Sequence, residues 1–200
     1  MIAGRGSFST WGLVFAAAGC LSLGCGTARA QDTKPTEYQV KAAYLANFGK
    51  FVEWPSKAVQ PGETSFPICV LGDDPFGPDL DAALAGEAVG KLPLRARRLS
   101  GIPNVSGCRI LFISASKEKQ LKTILADLPM PGLLTVSDIP QFARRGGMIE
   151  FILENNRVRF EINLDAAARA GISFRSELLR LAATVRGNSY SGGGRDSQFN

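Results

Sequence analysis

Three short apolar runs, at residues 66–71, 108–114 and 133–136, punctuate the middle of this chain, and helical stretches lie between them. A strand buried on both faces reads as a continuous apolar run, and a parallel neighbour must be reached through a crossover helix packed on the sheet. The order therefore predicts β-α-β units, with part of one helix at 80–84 and another at 117–128. Between the first two runs, LPLRARRL (92–99) alternates apolar and basic residues and reads as a half-exposed strand. At 148–153 and 158–164 two more strands flank Glu154-Asn155-Asn156-Arg157, a polar sequence suited to a hairpin turn, so the sheet is predicted to be mixed. Upstream, 37–54 carries Val40, Tyr44, Phe48, Phe51 and Val52 at helical steps, and Pro55 forbids continuation into the Pro/Gly/Ser linker at 55–65. Helical pieces at 166–170 and 176–185 close the order, the second with Leu178, Leu179 and Leu181 as its apolar face. The predicted fold is a single α/β domain with a mixed, mostly parallel sheet flanked by helices, ending in a β-hairpin and helices.

The first thirty residues do not belong to that domain. Arg5 precedes an uncharged stretch, WGLVFAAAGCLSLGCGT, which ends in the small-x-small triplet Ala28-Arg29-Ala30. This reads as a secretory signal peptide cleaved before Gln31, so the mature protein is expected to be exported. Cys20 or Cys25 as a lipidated residue is the weaker alternative, because Leu is missing at the third position upstream of each. The Gly/Ser-rich segment from 187 to 200 reads as a disordered tail, leaving 31–186 as the folded domain.

Of 23 Lys+Arg and 18 Asp+Glu in the chain, the leader removes Arg5 and Arg29 and no acid. The remaining 21 basic and 18 acidic residues are too nearly balanced to argue for a nucleic acid partner. The chain has no histidine, which removes Ser-His-Asp triads, Cys-His pairs and His-ligated metals. No G-x-S-x-G elbow is present either, so the chain is expected not to be an enzyme and to carry no cofactor. Asp73 and Asp74 stand where a parallel strand's carboxyl end meets a helix, a place that binds ligands in open α/β sheets. Asp before Pro is also a common turn and helix cap, which is the favoured reading. No calcium-loop spacing surrounds the pair, so no metal is expected. Two cysteines remain after the leader, Cys69 and Cys108, in a compartment where disulfides persist. A structural bridge is the favoured reading, linking either two neighbouring strands or one strand to the start of the next.

The runs KAAYLANFGKFVEWP (41–55), ICVLGDDPFG (68–77), CRILFIS (108–114), LLTVSD (133–138), GGMIEF (146–151) and VRFEIN (158–163) occur in the order and spacing of the YfiR family. The chain resembles that family over about residues 37–185. The resemblance implies a periplasmic regulator without enzymatic activity that restrains an inner-membrane diguanylate cyclase through that enzyme's periplasmic portion. It further implies control of cyclic di-GMP and biofilm formation, with release by an OmpA-like outer-membrane lipoprotein. Other members of the broad family sit beside sensor kinases, so the alternative is a periplasmic small-molecule-binding sensor component acting with a membrane histidine kinase. Cys69 and Cys108 match the family's structural cysteine pair, whereas the positions of a second pair are taken by Ala143 and Glu150.

Candidate contact residues lie on the strand 157–163. Its alternation puts Val158, Phe160 and Ile162 on one face and Arg157, Arg159, Glu161 and Asn163 on the other. The bland reading is a solvated outer face. The functional one brings Glu161 and Arg175 together as a polar cluster beside Ile172 and Phe174, able to contact a partner or ligand. Lys117-Glu118-Lys119 and Arg144-Arg145 read as solvated helix ends. Tyr44, Phe48, Phe51 and Trp54 of the first helix read as core, with part of that face alternatively a surface for a homodimer or another partner.

Overall fold

The computed structural model describes residues 34–55, 62–129 and 131–187. The leader and lipidation readings, and the expected tail beyond Gly187, fall outside these residues. The first helix, α1 (Glu37–Phe51), opens on a reciprocal cap: the Gln39 amide donates to the Thr36 side chain and the Thr36 amide donates to that of Gln39. Two donors that the first turn leaves unpaired are thereby satisfied. The helix stops three residues short of Trp54 because β1 (Val52–Glu53) turns extended to pair with β9 (Ser173–Phe174).

Next come β2 (Phe66–Leu71), α2 (Pro78–Leu84), β3 (Ala88–Val89), β4 (Leu92–Leu99) and β5 (Ile110–Ile113). A 3-10 turn at Ala115–Gln120 leads into α3 (Leu121–Asp127), so the helix expected at 117–128 is only partly α-helical. The chain continues through β6 (Leu134–Ser137), β7 (Ile149–Glu154), β8 (Arg157–Asn163), α4 (Leu164–Arg169), β9, α5 (Ser176–Leu181) and β10 (Thr184–Arg186). The helix expected at 176–185 therefore ends at Leu181, because residues 184–186 join the sheet beside β8.

Eight strands form the main sheet in the order β10-β8-β7-β6-β5-β2-β4-β3. Strands β4, β2, β5, β6 and β7 run parallel, as the β-α-β reading requires. The hairpin reverses β8 against β7, and β10 lies parallel to β8. Its two turn residues, Asn155 and Asn156, have φ of 49° and 61°, a left-handed pair that asparagine tolerates better than most residues. From β4 the chain crosses over β2 to reach β5, so the topological switch lies between β2 and β5.

Alternation along β2 separates two apolar layers: Ile68 and Val70 enter one cluster, Cys69 and Leu71 the other. Phe48, Phe112 and Phe160 are fully buried in the first cluster, where Tyr44 and Phe48 pack against Phe151 and Phe160 with ring centroids 5.3–5.9 Å apart. Of the aromatic residues assigned to the first helix, Phe48 is core, whereas Tyr44, Phe51 and Trp54 are half-buried against it. The second layer is capped by Leu121, Ile124 and Leu128 and by Phe142.

Candidate functional site

The predicted alternation along β8 holds. Phe160 and Ile162 are buried, while Arg159, Glu161 and Asn163 stand half-buried on the opposite face. Register extends this face sideways: Ile152 of β7 lies opposite Arg159, and Thr184 and Arg186 of β10 lie opposite Glu161 and Asn163. Glu161 does not meet Arg175. Its carboxylate accepts from Nε of Arg186 at 2.9 Å, because β10 returns a basic residue alongside β8. Arg175 instead precedes α5, with its backbone amide donating to the Phe51 carbonyl at 3.0 Å. Ile172 and Phe174, expected beside the polar cluster, are buried in the main core.

Asn163 has a structural task. Its side chain accepts from the Ala166 amide at 3.0 Å, capping α4, and donates to the Ala143 carbonyl at 2.7 Å. Arg159 has no hydrogen-bond or ion-pair partner among the described residues, so it is the member of the predicted set free to serve a partner.

A second cluster lies at the carboxyl ends of the parallel strands, and no short-range sequence signal announced it. Lys41, on the inner face of α1, is 2% exposed, with its Nζ 2.7 Å from Asp138 Oδ2 and 2.5 Å from Glu37 Oε1. Tyr38 donates its hydroxyl to the same Asp138 oxygen at 3.0 Å, and the Lys41 ammonium sits 4.5 Å from the Tyr38 ring centroid. Burial, then the neighbouring Asp138 charge and its hydrogen bond, push the Tyr38 phenol up to about 12. Asp138 Oδ1 is buried without a hydrogen-bond partner. These groups edge an open cleft of about 450 Å³, also lined by Pro140, Phe151 and Leu153.

At the switch point itself, the Asp73 amide donates to Ser116 Oγ at 3.0 Å, where Gly72 adopts a φ of 99°. Asp74 accepts from the Phe76 amide at 2.9 Å and pairs with Arg98 at 2.9 Å. It thus builds the turn, while the α2 N-cap position falls on Gly77 with no side-chain cap. Arg98 also bonds Asp81 and holds its carboxyl below the usual range. The expected helix-end charges are partly engaged, since Arg145 reaches Glu118 at 3.2 Å.

Cys69, in the middle of β2, is disulfide-bonded to Cys108, which lies two residues before β5, with their Cα atoms 6.0 Å apart. The bridge therefore joins one strand to the approach of its neighbour. The sequence profile of the YfiR/HmsC-like family matches residues 38–183. The chain belongs to this family. The family comprises periplasmic regulators of diguanylate cyclase systems, and no described helix is long and apolar enough to cross a membrane.

Among solved structures, an ABC domain from Streptococcus pneumonia in complex with L-Trp is similar at 10% identity and a TM-score of 0.46, over 72% of this chain and 60% of that one. A conserved domain protein from Vibrio cholerae o1 biovar eltor is similar at 11% identity and a TM-score of 0.44, over 77% of this chain and 62% of its own. This chain thus spans about three-fifths of each, and neither likeness is close enough to inform function.

In this YfiR/HmsC-like chain the positions of the second cysteine pair are also in contact, though without a covalent bond. Glu150, 6% exposed, accepts from the Ala143 amide at 3.0 Å and from the Gln141 amide at 2.8 Å. Two backbone donors satisfy the buried carboxylate and pin the loop before β7, where Gln141 has a φ of 62°.

Proposed function

We propose that this chain is a non-enzymatic periplasmic repressor that binds the periplasmic portion of an inner-membrane diguanylate cyclase, restrains it, and so lowers cyclic di-GMP and biofilm formation. The observation that carries this reading is the family match over 38–183, which runs from α1 through α5. The absence of histidine supports a binding role by removing the commonest general base. The polar face of β7, β8 and β10 supports it too. Arg159 and Ile152 offer a cation beside an apolar side chain, the mixture found at protein interfaces. Release by an OmpA-like outer-membrane lipoprotein is part of the proposal.

The cleft beside Tyr38, Lys41 and Asp138 favours a second reading, a small-molecule-binding sensor component acting with a membrane histidine kinase. Direct binding separates the two. The purified chain is titrated with the purified periplasmic portions of the source bacterium's membrane diguanylate cyclases, using wild type and Arg159→Glu. The repressor reading expects one of them to bind, and Arg159→Glu to weaken it about tenfold with an unchanged circular dichroism spectrum, as for a rim-to-core arginine of an interface. No binding by any of them would overturn it.

A further inference from the structure

Strand β7 outruns its parallel neighbour. Val136 and Ser137 pair with Ile149 and Glu150, and there β6 ends, whereas β7 continues to Glu154. The Asn163 amide donates to the Met148 carbonyl, so Met148, Glu150 and Ile152 direct their backbone groups toward β8, and alternation turns those of Leu153 the other way. No strand meets them there, because the chain after Ser137 leaves the sheet in a turn, with the Ile139 amide donating to Ser137 Oγ at 3.0 Å. Among the described residues the N–H and C=O of Leu153 have no partner.

Leu153 lines the cleft of about 450 Å³ beside Tyr38, Lys41 and Asp138, on the carboxyl side of the parallel strands, the side on which open α/β sheets bind ligands. Asp138 Oδ2 takes both Lys41 and Tyr38, whereas Oδ1 is buried without a partner. Buried polar atoms are nearly all paired, so an orphaned carboxylate oxygen at a cleft marks a place where a donor is wanted. The carboxylates of Glu37, Asp138 and Glu150 line the cleft against one cation, Lys41. Lys34 and Arg157 border the adjoining hollow, which shares Glu37 and Leu153, and Arg159 stands opposite Ile152 on β8; none of these three lines the cleft. The acids are not arranged for a metal ion. Glu150 is engaged by two backbone amides, and no group of three or more Asp or Glu among the described residues is placed to hold one.

We propose that this cleft binds a small organic ammonium, whose N–H groups donate to Asp138 and to the Leu153 carbonyl while its apolar body lies on Pro140, Phe151 and the Leu153 side chain. The inference deepens the second reading by naming the ligand class of its cleft, and it holds whether the output is a cyclase or a kinase. Charge selects the cation, because the lining carries more acid than base; the free acceptors select one that bears N–H groups. Apolar walls with a few convergent polar groups are the usual make-up of a small-molecule site. Oδ1 is screened from water, so a slight turn of the carboxylate brings it to the ligand, while Lys41 and Tyr38 hold Oδ2.

The test titrates the full mature chain with millimolar n-butylammonium, n-butanol and butyrate at matched salt, following backbone amide resonances by NMR. Butylammonium should shift the Tyr38, Asp138 and Leu153 amides saturably, and butanol, which lacks the charge, should bind about tenfold more weakly or not at all. Asp138→Asn removes the charge and should weaken butylammonium binding about tenfold. Since that change also strips Lys41 of its partner, Leu153→Lys is the second variant: the side chain is 55% exposed, so the fold should persist, and the added cation should abolish binding. Equal affinity for the ammonium and the alcohol, or butylammonium binding unchanged in Leu153→Lys, overturns the proposal. Should butyrate alone shift these amides, the cleft is a sensor site of the opposite charge preference, so the proposal is wrong and the sensor reading stands. If no probe moves them, the proposal and the sensor reading of this cleft fall together, and the repressor reading is still decided by cyclase binding.

Discussion

Removal of the Cys69–Cys108 bridge is the perturbation whose size the structure fixes best. The two residues are 39 apart in sequence, and Cys69 and Cys108 are 0% and 6% exposed. Closing a loop of that length removes chain entropy from the unfolded state worth about 4 kcal/mol at room temperature. For a chain of this size each kcal/mol moves the melting temperature by roughly 2–4 °C, so the doubly substituted Cys69→Ala/Cys108→Ala protein should melt roughly 8–16 °C below the oxidised wild type. The assay is thermal unfolding followed by circular dichroism, with reduced wild type as a third sample. The reduced sample should fall beside the double variant, since both lose the same constraint. Coincident melting of oxidised wild type and double variant would refute the reasoning, because it would mean that the bridge adds nothing to what the strands β2 and β5 already enforce.

Four further outcomes are expected. The raised Tyr38 phenol keeps its proton between pH 10.0 and about 12 while the unfolded chain loses its own, so this contribution to stability is whole below pH 10 and disappears as pH rises toward 12. Ultraviolet titration of Asp138→Asn, referenced to Tyr38→Phe, should show the Tyr38 midpoint lower than in wild type yet still above 10.0, since burial is the largest cause of the shift. Gly147→Ala places a Cβ into the Phe142 ring, which is fully buried, and should cost about 1–3 kcal/mol in urea unfolding. Asn163→Ala removes the cap of α4 and the tie to Ala143, and should cost about 1–2 kcal/mol by the same measurement; an unchanged midpoint in either variant would contradict the packing described.

The strands that announce themselves in the sequence are those whose burial is decided by their own side chains. Residues 66–71, 92–99 and the hairpin on Asn155-Asn156 carry continuous or alternating apolar patterns long enough to read, and they appear where expected. The short strands β1, β9 and β10 do not, because two or three residues hold no period and become extended only when a distant partner accepts them. That is why the helix expected over 176–185 ends at Leu181, and why Arg186 of β10, not Arg175, pairs with Glu161. Lys41 was hidden for the same reason. Nothing near it in sequence marks it as buried, and only Asp138, 97 residues away, makes its burial tolerable. Conversely, the Cys69–Cys108 pairing and the family were legible because the matched region 38–183 holds two cysteines, which leaves few choices, and the motif runs keep their order.

The central claim is that this protein restrains a diguanylate cyclase, and the most direct measurement is intracellular cyclic di-GMP in the source bacterium with the gene deleted, set against wild type and a complemented strain. The account expects the nucleotide to rise on deletion and to return on complementation, while complementation with Arg159→Glu should leave it high. Equal cyclic di-GMP in deleted and wild-type cells, with the protein present in the wild-type periplasm, would contradict it.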